Sequence, residues 1–139
     1  MASSTISSRV AGKSTVPRAD RPRVLLDFPM DEPAIPSGLT VDRAGHLWVT
    51  LTGGGQVRRY SSAGRPEEVV RVPVTQPTGC TFVGPALDVL VVTTAVEGLS
   101  DVDRVVQPDA GRLFTVRVPD VVGRGTFRYR GPLGGLTAA

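Results

Sequence analysis

One cysteine, Cys80, and one histidine, His46, are too few for an internal disulfide framework or a self-contained zinc site. Aromatic residues make up only 5% of the chain, and no apolar run approaches the roughly 18 residues of a membrane-spanning helix. The first residues lack the apolar segment of a secretory signal. With no disulfides expected, a cytoplasmic location is the default. Net positive charge is confined to the first residues. The net charge is +3, yet residues 1–23 carry five basic residues against Asp20, and residues 24–139 carry 11 arginines against 12 acids. A neutral body with neither a basic stripe nor interleaved aromatics excludes nucleic acid as a partner, and no membrane association is expected.

What is abundant is punctuation: 16 glycines and 12 prolines in 139 residues, beside 40% hydrophobic residues. That mixture suits short strands joined by tight turns and argues against a helical bundle. The length fits one domain, which would bury roughly two-thirds of its unfolded surface if it closes on itself.

Residues 1–22 are Ser-rich and lightly basic without apolar periodicity, and read as a disordered tail. Within them Gly12-Lys13-Ser14-Thr15 imitates the end of a phosphate-binding loop, but Ser7 stands where the first glycine is required and no apolar strand precedes it. From Arg23 onward strand-like runs alternate with turns. Val24–Phe28, Gly38–Val41, Leu47–Leu51, Gln56–Tyr60 and Glu68–Val72 are expected as strands. Asp42-Arg43-Ala44-Gly45 and Ser61-Ser62-Ala63-Gly64 supply type I turns, and Gly53-Gly54-Gly55 a hairpin reversal.

The same order recurs. Pro36-Ser37-Gly38-Leu39-Thr40-Val41 matches Pro77-Thr78-Gly79-Cys80-Thr81-Phe82, both reading P-[ST]-G-x-T-apolar. Leu47-Trp48-Val49-Thr50 then matches Leu90-Val91-Val92-Thr93, and Gly55-Gln56-Val57 matches Gly111-Arg112-Leu113 after an insertion. A period of about 40–45 residues with four strands is that of a β-propeller blade. The fold class is therefore all-β: a partial β-propeller of two four-stranded antiparallel blades, residues 36–73 and 77–130, with Val24–Phe28 as the outer strand of a third. Together these form an incomplete propeller over 23–131, followed by a C-terminal tail at 132–139. Inside the insertion, Ser100-Asp101-Val102-Asp103 is a capping sequence for a short helix.

The run PSGLTVDRAGHLWVTLTGGGQVRRYSSAG, followed by QPTGCTF, LVVTTAVEGLS and QPDAGRLFTV, resembles the C-terminal part of the senescence-marker-protein, gluconolactonase and luciferin-regenerating-enzyme family over residues 23–131. The resemblance implies a six-bladed propeller of about twice this length. It also implies a divalent metal, calcium or zinc, held near the central channel by one Glu, two Asn and one Asp and assisting the opening of sugar lactones. The family's Pro-Asp-Gly carries the Asp that is both ligand and proposed base; here that position is Ser37. A neutral hydroxyl is a weak donor to a hard cation and no base near neutral pH, so one change removes both roles. The other ligands the resemblance implies have no counterpart in this chain. The expectation is of a lactonase-like hydrolase fragment with no catalytic, cofactor-binding or metal residues of its own, inactive alone. The alternative is a non-catalytic propeller module, in which three copies could close a six-bladed ring.

The remaining candidates read as structural. His46 follows a turn and is expected to be exposed. Cys80 lies in a strand beside Thr81 and Phe82, with no base next to it. Asp42 is a turn former before it is a metal ligand, and Trp48 is core rather than a substrate platform. Arg58 and Arg59 are adjacent in a strand, point to opposite faces and cannot form one anion clamp. Two blades leave apolar end faces and the strand Val24–Phe28 exposed, so self-association or instability is expected.

Overall fold

The computed structural model describes residues 4–6, 23–29 and 33–126. Ser4–Ile6 (β1) and Leu26–Phe28 (β2) pair antiparallel, Ser4 opposite Phe28. Ile35–Val41 (β3), Leu47–Thr52 (β4), Gln56–Tyr60 (β5) and Pro66–Arg71 (β6) form a four-stranded antiparallel meander. Pro77–Val83 (β7), Val89–Thr94 (β8) and Leu113–Val116 (β9) form a three-stranded sheet, with the helix Asp101–Val106 (α1) between β8 and β9. These are the two blades read from the repeat.

The shared P-[ST]-G motif produces the same local structure twice. The ladder between β3 and β4 shifts register between Pro36 and Leu39, and that between β7 and β8 shifts between Pro77 and Gly79. Proline cannot donate to a ladder, and glycine tolerates the kink, so each motif makes a bulge that takes Ser37 and Thr78 out of regular pairing. The bulges also let the two first strands approach. A Cβ on Gly38 would lie 2.4 Å from the Gly79 Cα and 2.8 Å from the Thr78 oxygen, so this contact requires glycine.

β4 buries Leu47 through Leu51 on both faces, in keeping with its nearly continuous apolar run. One face, with Trp48 and Val57, meets Phe82, Leu90 and Val92 of the second sheet, and the Trp48 and Phe82 rings meet edge to face at 5.8 Å. The other face, with Leu47, Val49, Leu51 and Tyr60, is covered by Leu26, Phe28 and Ala34, and Phe28 meets Tyr60 edge to face at 6.0 Å. β8 differs from β4: only Leu90 and Val92 are buried, while Val89 and Val91 are half-buried, because only one face of that sheet is covered.

Two expectations change. Residues 4–6, assigned to a disordered tail, form β1, because the exposed edge of β2 offers unpaired backbone groups to a Ser-Thr-Ile run. The rest of that tail, with Gly12–Thr15, lies outside the described residues. The second blade has three strands among the described residues, not four. After β9 the chain crosses the sheet ends instead of turning back beside β9: Arg43 N donates to Val122 O at 2.8 Å, Gly123 N to Leu87 O at 2.7 Å and Arg124 N to Val41 O at 3.2 Å. Gly123 is pressed on the Phe82 ring, where a Cβ would have no room. Residues 127–130, the end of the expected fourth strand, and the 132–139 tail lie outside the described residues.

Candidate functional site

The position the resemblance marks is the bulge of β3. Ser37 Oγ donates to Thr78 O at 3.0 Å, tying the first strand of one blade to that of the next. Around it the side-chain oxygens are neutral hydroxyls that satisfy each other or the backbone. Thr50 Oγ1 accepts from Gly38 N at 2.7 Å and donates to Gly38 O at 3.1 Å, and the Thr78 and Thr93 hydroxyls bond at 2.9 Å. A hard divalent cation needs carboxylates and uncommitted carbonyls. This donor set does not fit one, and no group of three or more His, Cys, Asp or Glu side chains converges among the described residues.

The charged chemistry sits at the opposite end of β3, on the order of 15 Å along the strand. Asp42 is 1% exposed. Its Oδ1 accepts from His46 N at 2.9 Å; its Oδ2 accepts from Trp48 Nε1 at 3.1 Å and from Arg59 Nε and Nη2 at 3.0 and 2.7 Å. Burial raises the carboxyl pKa, but the His46 amide, the Trp48 indole and the Arg59 guanidinium more than offset it, holding Asp42 below its ordinary value of 3.8. The Arg59 guanidinium lies 5.5 Å over the Trp48 ring. Asp42 thus closes its turn, as expected, through Gly45 N donating to Asp42 O at 3.0 Å, and also anchors a buried ion pair. A cleft of about 280 Å³ adjoins this cluster, lined by Asp42, Arg43, Arg59, Asp120 and Val121.

His46 is not the exposed turn residue expected. Its side chain is 26% exposed and its Nδ1 lies 3.2 Å from Glu67 Oε2, because the start of β6 folds over the turn. Sequence reasoning missed this assembly, although a signal existed: the Gly53–Gly55 hairpin pairs Trp48 with Arg59, placing both on one face above Asp42. The hairpin itself is as expected, with Gly53 and Gly55 at φ of 87° and 59°. Trp48 is core, with no exposed surface. Arg59 points inward to Asp42 while Arg58 lines a different cleft beside β2, so the two do not share a ligand. Cys80 is half-buried with Sγ 3.5 Å from Trp48 O. Burial pushes its thiol pKa up to about 12 against a smaller lowering by the Thr40 backbone, which leaves it inert near neutral pH. Ser100 and Asp103 make the expected capping box on α1.

Residues 8–96 match the family described as the SMP-30/Gluconolactonase/LRE-like region. The chain belongs to that family. It is 35% identical over 101 residues to regucalcin of Sus scrofa, covering 72% of this chain and 34% of the relative. It is also 38% identical over 85 residues to the putative sugar lactone lactonase YvrE of Bacillus subtilis, covering 60% of this chain and 29% of the relative. Among solved structures, a calcium-binding regucalcin from Agrobacterium tumefaciens superposes with a TM-score of 0.75 at 31% identity, over 81% of this chain and 37% of that one. A luciferin-regenerating enzyme superposes with a TM-score of 0.64 at 32% identity, over 75% and 35%. The chain thus spans about a third of the length of the curated relatives it matches. Within this SMP-30/gluconolactonase-like chain, both faces of the first blade are packed by apolar side chains, whereas the first-strand bulges carry hydroxyls.

Proposed function

We propose that this chain supplies a blade pair of a sugar-lactone-hydrolase type propeller and has no lactonase chemistry or tight metal site of its own. The sugar-lactone class is carried by family membership and by similarity to a protein named a putative sugar lactone lactonase. The observation that carries the second half is the Ser37 Oγ bond to Thr78 O at 3.0 Å. At the position where the resemblance implies a carboxylate, the side chain is a neutral donor committed to backbone. A hydrolytic step on an ester needs a group that takes a proton from water near neutral pH. Ser37, Thr50, Thr78 and Thr93 are all hydroxyls and cannot do so; Asp42, the buried carboxylate, is fully occupied at the other end of the strand.

What these residues do is hold the two blades in register. Ser37 and Thr52 each donate from the first blade to a carbonyl of β7, Thr52 Oγ1 reaching Pro77 O at 2.6 Å. Calorimetry of the purified chain with calcium, zinc and manganese tests the reading, beside an assay of aldonolactone hydrolysis. Heats too small to fit and hydrolysis at the uncatalysed rate are expected. Micromolar affinity for any of the three, or turnover by the purified chain, overturns it.

A further inference from the structure

The internal repeat assigns each exposed residue of the second blade a counterpart in the first. Trp48 and Val57 lie on the face of the first blade that packs on the second, and both are completely buried. Their counterparts, Val91 and Leu113, lie on the face of the second blade that packs on nothing among the described residues; Leu113 is 67% exposed. That face, Thr81, Val83, Val91, Thr93, Leu113 and Thr115, holds no charge. An uncharged β-branched sheet face in water is an interaction surface. The outer edge of β9 also has no strand beside it among the described residues, while the first blade has four strands.

The missing strand has a candidate in the chain itself. β2 belongs to neither blade sheet and lays Leu26 and Phe28 on the opposite face of the first blade. Detached β2, four-stranded β3–β6 and three-stranded β7–β9 together make two complete blades. Within one chain β2 and β9 lie at opposite ends of the blade stack. The described chain after β9 does not return to that edge. The backbone bonds of Gly123 and Arg124 fix the outgoing chain at the β3–β4 and β7–β8 turns, and Asp42 pairs with Gly123 there.

We propose that the second blade docks a second copy of this chain head to tail, with the copy's β2 adding to β9 as the fourth strand. In a single copy Leu47, Val49 and Leu51 are buried beneath Leu26, Phe28 and Ala34, so the copy's first blade meets the uncharged face only once β1 is displaced from β2. This contact repeats the one already present between the blades, where Leu90 and Val92, the repeat counterparts of Leu47 and Val49, pack on Trp48 and Val57. β1 is a competitor: it pairs with β2 and reaches β3, which places it on the inward edge of β2 that β9 of a neighbour needs. Head-to-tail contacts of this kind are heterologous and give a discrete species only if the ring closes.

The experiment is native mass by light-scattering-coupled chromatography over a concentration series of the full chain. A discrete oligomer is expected, reduced to monomer mass by Leu113→Asp with unchanged circular dichroism, since that side chain contributes little to the fold of one copy. Thr5→Pro, which breaks the β1 ladder, is expected to lower the association midpoint about tenfold. A monomer at every concentration overturns the proposal, and slow amide exchange of β9 in that monomer would assign the edge to the chain's own residues 127–139. Polydisperse aggregate, or an oligomer that Leu113→Asp leaves intact, overturns it as well.

Discussion

Arg59 clasps Asp42 with two nitrogens on one oxygen, Nε at 3.0 Å and Nη2 at 2.7 Å, in a place where the carboxylate is 1% exposed and the guanidinium side chain 17%. The pair joins the turn after β3 to the end of β5, and Trp48 completes the shell of Oδ2 from the strand between them. Three elements of the first blade therefore meet on one oxygen. Its role is architectural: it fixes the turn on which Val122 and Gly123 of the crossing segment rest.

Replacing Asp42 by Ala leaves partly buried Arg59 with only the more distant Glu67 Oε2, 3.8 Å from Nε, as counter-charge, and Trp48 Nε1 without its Asp42 acceptor. Breaking one side of a buried pair costs about 3–5 kcal/mol when both charges are fully buried; the partial exposure of Arg59 lowers this to about 2–3 kcal/mol. Urea unfolding followed by Trp48 fluorescence reads it as a lower midpoint. A loss under about 0.5 kcal/mol, the scale of an ordinary surface change, would remove the pair from any structural role.

The same carboxylate sets an acid limb. Its folded pKa lies below the ordinary 3.8, so the folded chain binds fewer protons than the unfolded chain in that range. Its stabilisation is complete above the unfolded value and falls away as pH drops below 3.8 through the folded value. The urea midpoint should therefore decline in this acid range, and Asp42→Asn should flatten that decline while lowering the plateau at neutral pH. A parallel decline in the variant would assign the limb to other carboxylates.

Gly38→Ala should strain the meeting of the two blades. The added methyl would sit 2.4 Å from the Gly79 Cα, a backbone atom that cannot rotate away. Forcing a group into a packed site costs about 1–3 kcal/mol, and here the strain acts on the hydrogen bond from Ser37 to Thr78 as well. Thermal melting should show a lower midpoint for Gly38→Ala. Gly45→Ala, where a Cβ has open space but φ is +85°, should show a smaller loss from the turn alone.

Much of this was legible in the sequence. The repeated P-[ST]-G-x-T motif foretold two blades and, once folded, two matching bulges. The nearly continuous apolar run of Leu47–Leu51, broken only by Thr50, agrees with a strand covered on both faces. The motif also located Ser37, because a bulge position is set by local chemistry. What was not legible depends on distant chain. His46 reads as a turn residue until the start of β6 brings Glu67 against it. The exposure of Leu113 and the incomplete burial of Val91 reflect which neighbour a sheet face has, and alternation along a strand does not encode that. The crossing of residues 118–124 also escaped, since its bonds are backbone to backbone and leave little mark on residue type.

Cys80 offers a chemical probe of the inter-blade seam. Its pKa of about 12 leaves a negligible thiolate fraction near neutral pH, and its sulfur faces the Trp48 carbonyl. An aromatic disulfide reagent at neutral pH should label the native chain far more slowly than the chain in urea. Gly38→Ala should speed native labelling by loosening the β3–β7 contact. Labelling of the native chain as fast as in urea would mean that the seam opens freely.

Ser37→Asp returns the carboxylate that the resemblance implies and tests whether one residue accounts for the missing chemistry. In the wild type Ser37 Oγ donates to Thr78 O at 3.0 Å; a carboxylate cannot donate and would face that oxygen with like partial charge. The variant should lose about 0.5–1.5 kcal/mol of stability, the net worth of one hydrogen bond, unless a cation bridges the two oxygens. A lone carboxylate supplies one or two of the six to eight oxygens that calcium takes, leaving the rest to water, so affinity should stay weak, in the millimolar range or above. Lactone hydrolysis should likewise stay at the uncatalysed rate, since a base without an electrophile or bound substrate gains little. Calorimetry and melting of the variant with and without calcium decide the matter. A calcium-dependent rise in melting midpoint at micromolar metal would show that Thr78 and its neighbours already form the remainder of a site, and that Ser37 alone withholds it.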